Sequence, residues 1–157
     1  MKKHNGWSYA PYKPLFFNTG DIYVCRVVPH EKSIHFEWLD ASLKGYKIYV
    51  KEYEDKEASF RLVGETTACE YDITGLETEI DYEFYVCDAD NESFKSRVRM
   101  ARTYEFTDCN AVTVNYLHPR DDAYSFSGKF LCSPSIVRHP DGFLLSSMDV
   151  YAGGWPQ

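Results

Sequence analysis

From Asp21 onward, apolar and polar residues alternate with a period of two in short runs, broken by turn residues roughly every 8 to 12 positions. Ile34, Phe36 and Trp38 alternate with His35 and Glu37, and Tyr46, Ile48 and Val50 alternate with Lys47, Tyr49 and Lys51. Successive side chains of a strand point to opposite faces, so each segment is predicted to be a strand with one buried face. The same pattern predicts strands over 22–28, stopped by Pro29, and over 60–63, 69–73 and 82–86. In a last strand, Val98 and Met100 are expected to face inward. Arg97, Arg99 and Arg102 are expected to face outward as a basic stripe on an edge, where charge discourages edge-to-edge pairing. No stretch keeps a helical period. The expectation is all-β: an antiparallel sandwich or barrel of about seven strands over 20–104.

The flanks read differently. Residues 1–19 interleave Trp7, Tyr9, Tyr12, Phe16 and Phe17 with Pro11 and Pro14, too aromatic for a solvated tail and too broken by proline for a helix. An extended arm packed on another surface is expected there. Near the other end, 135–138 and 143–147 are expected to form a hairpin across His139-Pro140-Asp141-Gly142, because Asp-Gly favours a tight turn. A lone hairpin is marginal in water and needs neighbours to bury Ile136, Val137, Leu144 and Leu145.

Ile73-Thr74-Gly75-Leu76, followed by Tyr82, resembles the L-x-P-x-T-x-Y element of fibronectin type III domains. The resemblance implies a tyrosine corner, in which the Tyr82 hydroxyl bonds to the chain just upstream and Leu76 plugs the end of the core. It also makes Trp38 and Tyr46 core aromatics, and puts Thr78 where the family keeps a proline. A second resemblance lies in 132–145, which is similar to the opening of the six-bladed β-propeller of sialidases and related glycoside hydrolases. Pro134, Gly142, Leu144 and Leu145 match that pattern, and Asp149 falls at its acidic position. Cys132 stands where that family has a substrate-gripping Arg, which takes the implied glycan preference away from sialic acid.

The two resemblances imply an arm (1–19), a fibronectin type III-like domain (20–104) and a linker with the first strands of a propeller (105–157). The role they imply is a non-catalytic module that positions or stabilises the propeller of a longer sialidase-like hydrolase. Asp149 would be an acid/base position of that parent. This chain holds no Asp-box repeat and no complete active site, and no cofactor is expected. The alternative is a complete small β-sandwich protein for binding or adhesion, engaging a protein or a glycan.

Composition narrows the partners. The 157 residues are 44% hydrophobic, enough for a real core, and carry 17 Lys and Arg against 24 Asp and Glu, a formal charge of −7. That balance opposes nucleic acid and anionic lipid surfaces. No apolar run suits a secretory signal or a transmembrane helix, and five widely spaced cysteines form no C-x-x-C pair, which together suggest a reducing, bacterial cytoplasm. Cys109, His118, Cys132 and His139 are separated by 9, 14 and 7 residues, matching no common zinc pattern, so no metal is expected there. Nor does the sequence show what would orient His118 or His139 as a base for a Cys132 thiol nucleophile. The exposed aromatics Tyr49, Tyr53 and Tyr85, with Trp7 and Tyr9, are expected to cover a neighbouring domain or, as a second use, to stack on a glycan.

Overall fold

The computed structural model describes residues 21–41, 43–105, 112–113, 116–121, 123 and 130–151. Seven strands build a sandwich: β1 (Val24–Pro29), β2 (Ser33–Trp38), β3 (Tyr46–Glu52), β4 (Arg61–Thr66), β5 (Glu70–Thr74), β6 (Asp81–Asp88) and β7 (Arg99–Arg102). One sheet runs β1-β2-β5 and the other β4-β3-β6-β7, with every pairing antiparallel. The fourth strand pairs with the third instead of lying beside the fifth, as it would in a constant-type immunoglobulin domain. This is the fibronectin type III arrangement. No helix among the described residues is long and apolar enough to cross a membrane.

Strict alternation sets the core. Ile34, Phe36, Ile48, Val50, Ile73, Phe84 and Val86 are fully buried, and the Phe36 and Phe84 rings meet between the sheets at 4.9 Å. Trp38 extends this stack to Tyr46, which it meets edge-on at 5.1 Å. At one end of the sandwich the Glu77 N–H donates to Tyr82 Oη at 3.0 Å, while Leu76 is buried beneath. Thr78, at the proline position, donates its hydroxyl to Glu31 O at 2.9 Å and so ties the turn by a hydrogen bond instead of a ring.

The last strand of the sandwich differs from the sequence expectation. Arg99 and Ala101 are opposite Phe84 and Tyr82, so the inward positions are Arg99, Ala101 and then Thr103, all buried, whereas Val98 is 38% exposed. Val98 and Met100 predict the opposite parity, and a one-residue slip exchanges the faces, yet Met100 is itself buried at 5% exposure and only Val98 lies open. Arg97 and Arg102 remain partly exposed, but Arg99 belongs to the interior.

A side chain closes each open side of the sandwich. On one side Tyr71 of β5 reaches across to β4 and donates to Val63 O at 3.0 Å. Gly64 makes room for it, because a Cβ there would lie 1.9 Å from Tyr71 Oη. On the other side Arg99 of β7 reaches β1, where Nη1 donates to Val24 O at 2.9 Å.

Beyond the sandwich, β8 (Phe130–Arg138) and β9 (Leu144–Tyr151) form a two-stranded sheet. Its turn holds Gly142 at φ 94°, and its register sets Val137 against Leu145 and Ile136 against Ser146. Ile136, Val137, Phe143, Leu144 and Leu145 are all exposed. Since neighbouring positions of one strand point to opposite faces, apolar surface is open on both faces of this hairpin.

Candidate functional site

The arrangement with the most unusual chemistry lies along the β7 edge, where residues 116–121 and 123 run over the sandwich as a strap. Asp121 is its anchor. The Arg99 guanidinium donates from Nε to Asp121 Oδ2 at 2.7 Å, and both side chains are nearly inaccessible, at 8% and 2%. The backbone N–H of Met100, on the edge strand, donates to the same carboxylate oxygen at 3.3 Å, and the Ala123 N–H donates to Oδ1 at 3.0 Å. One carboxylate thus neutralises a buried cation and occupies a free edge donor. The Arg97 guanidinium adds a bond to Ala123 O.

Next to this anchor, Asp81 collects charged neighbours. Arg102 Nη1 approaches one of its oxygens at 3.0 Å and Arg120 Nη1 the other at 3.4 Å, and His118 Nε2 lies 3.5 Å away. His118 Nδ1 accepts the Arg120 N–H at 3.1 Å, which leaves the ring proton on Nε2, facing Asp81. Burial holds the His118 imidazole below its usual pKa, although Asp81 pulls the other way, so the ring is neutral at pH 7. Tyr116 packs against the core and near the Tyr104 ring, and burial raises its phenol.

A different surface covers the outer side of the four-stranded sheet. Tyr49 and Tyr85 stack at 5.0 Å with 13° between their planes, and Phe60 meets Tyr85 edge-on at 4.9 Å. Lys95 lies over Tyr85 and Lys51 over Phe60, while Lys47 and Lys51 pair with Glu92 and Glu83, each at 2.9 Å. The hydrogen bond from Lys47 holds the Glu92 carboxyl below the ordinary range, assisted by one from Tyr49. Tyr53 does not join this cluster. It packs between Lys56, 3.8 Å from its ring centre, and the Arg120 guanidinium at 5.4 Å.

Trp7, Tyr9 and Cys109 lie outside the described residues, as do the side chains of Cys132 and Asp149, whose backbones are register partners in the hairpin. His118 and His139 have separate surroundings: His118 faces Asp81, whereas His139 stacks on Phe143 at 4.3 Å. The thiols of Cys25 and Cys87 are pushed up by burial, which keeps both protonated at pH 7. His35, Glu37 and Glu70, none of them singled out in the sequence as ligands, bring donor atoms within 4.8 Å of one another on the outer face of the three-stranded sheet. Their signal was the outward position of His35 and Glu37 in a strictly alternating strand. Asp121 had no such signal, since its partner is 22 residues away and no periodicity marks the strap.

No family model matches the chain, and no curated protein matches it. Among solved structures, the FN5 domain of Drosophila Lar is 22% identical over 55% of this chain and 98% of that one, with a TM-score of 0.48. The fn3 domain of the human collagen alpha-1(XX) chain is 22% identical over 56% of this chain and 86% of its own, with a TM-score of 0.42. A beta-1,2-glucanase from Parabacteroides distasonis is 22% identical over 55% of this chain but only 13% of its own, with a TM-score of 0.47. By strand order and by the Tyr82 corner, residues 24–102 have the fibronectin type III fold.

Proposed function

We propose that the chain is a non-catalytic module that holds the polypeptide following it at a fixed place. The observation that carries this reading is the buried Arg99–Asp121 pair. A flexible tether needs no such anchor, and two charges taken out of water cost several kcal/mol that only good geometry and further hydrogen bonds offset. The strap therefore sets where the chain leaves the sandwich. In its finer form, the module stands at the N-terminus of a glycoside hydrolase with a sialidase-like propeller. The similarity of 132–145 to that family's opening and the apolar surface on both faces of β8–β9 support this form.

Backbone ¹⁵N relaxation on the full chain tests the positioning role. One rotational correlation time shared by 24–102, 116–123 and 130–151 is expected, and independent tumbling of 130–151 would rule out positioning. A second reading, docking of another polypeptide on the outer sheet face, is favoured by the Tyr49–Tyr85 stack. The lysines lying over Tyr85 and Phe60 leave less open ring face for a sugar than for a protein surface.

A further inference from the structure

The outer face of the three-stranded sheet carries a charge arrangement that neither the fold nor the positioning role requires. Register places Glu37 directly opposite Glu70, and His35 directly opposite Asp72. Like charges directly opposite on neighbouring strands destabilise a sheet. Arg26, opposite Glu37 on the other side, pairs with Glu37. It leaves Glu70 and Asp72 on the same face, in a chain that is already at −7.

The histidine is aimed. Its Nδ1 lies 3.0 Å from Asp72 Oδ1, which fixes the ring, and its Nε2 then faces Glu37 Oε1 at 3.3 Å, with a Glu70 oxygen inside the same 4.8 Å group. A carboxylate holding one nitrogen of a histidine whose other nitrogen faces further carboxylates is the orientation found at histidine metal ligands. Donor atoms around a tetrahedral ion with bonds of about 2.0–2.2 Å lie roughly 3.3–3.6 Å apart. The His35–Glu37 pair already has this spacing at 3.3 Å, and Glu70, inside the 4.8 Å group, closes in by a side-chain adjustment on binding. Imidazole with two carboxylates suits a divalent first-row metal and leaves one position for water.

The geometry points to a divalent transition-metal site, of the kind Zn²⁺ fills, formed by His35 Nε2, Glu37 and Glu70 and oriented by Asp72. Glu37 moves from Arg26 to the metal or shares its two oxygens between them. The ion offsets the Glu37–Glu70 repulsion and joins β2 to β5 on the solvent side.

Titration of the full, chelator-stripped chain with ZnCl₂ by calorimetry, together with ¹⁵N spectra of the histidine side chains, tests this. One saturable equivalent is expected, with the His35 imidazole signals shifting and those of His30 unmoved. His35→Gln and Glu70→Gln each weaken binding at least about tenfold, and Asp72→Asn weakens it by roughly 10-fold or more. Arg26→Ala, which removes a competing cation, does not weaken it. Absence of saturable binding would overturn the site, as would binding retained by His35→Gln or an unshifted His35 ring.

Discussion

The two open sides of the sandwich are closed by different chemistry. On the β4–β5 side a neutral phenol, Tyr71, bonds one carbonyl and fits over a glycine, and every part comes from the two strands it joins. On the β1–β7 side a guanidinium, Arg99, bonds the corresponding kind of carbonyl but brings a full charge into the interior, and the counter-charge comes from Asp121, well outside the strands. A neutral closure is local. A charged closure makes the sandwich depend on a distant segment, and so turns a stretch of chain into a structural part.

Substitutions should separate the two sides sharply. Asp121→Ala leaves Arg99 buried without its partner and should cost about 3–5 kcal/mol in urea unfolding. The double variant Arg99→Met with Asp121→Leu, which removes the unpaired charge, should recover part of that loss, the Met100 and Ala123 N–H groups and the Val24 carbonyl still lacking their partners. On the other side, Gly64→Ala drives a methyl group into the Tyr71 ring and should cost about 1–3 kcal/mol. Tyr71→Phe removes one neutral hydrogen bond and should cost about 1 kcal/mol. If Tyr71→Phe proved as damaging as Asp121→Ala, the contrast between the sides would fail.

The smallest effect concerns pH. His118 in the strap has a folded pKa below its unfolded value because burial disfavours the charged ring. The unfolded chain therefore binds the proton more readily, and the stability contributed by neutral His118 is complete above about pH 6.5 and declines as the pH falls below it. Unfolding of the native chain at pH 7.5 and 5.5 should show this decline. In His118→Gln the decline should be shallower, and an unchanged slope would place the titrating group elsewhere.

Much of this fold is legible in the residues. Strands β2 and β3 coincide with the alternation at 33–38 and 46–52, because both face the core on one side and solvent on the other. β7 departs from the pattern, since its inward positions hold Arg99 and Ala101, with Thr103 just past its end, while apolar Val98 lies outside and Met100 is buried from the opposite parity. Pattern reading assumes that inward means apolar, and a buried ion pair breaks that assumption. Gly64 was the available clue on the other side, because a glycine inside a strand often marks a close approach. Tyr49 and Tyr85, outward by the alternation, do meet, whereas Tyr53 lies beyond the end of β3 and turns to Lys56 and Arg120. Whether two outward side chains touch depends on register across strands, which one sequence does not state.

The strap is part of the sandwich, and the amide of Met100 reports on it directly. On an edge strand this N–H would be open to solvent, but here it donates to Asp121. Native-state hydrogen exchange on the full chain should find Met100 protected to a level close to that of the β6 amides, and should lose that protection in Asp121→Ala. Exchange of Met100 at the rate of an open edge in the native chain would mean that the strap does not hold, and the positioning role would fall with it.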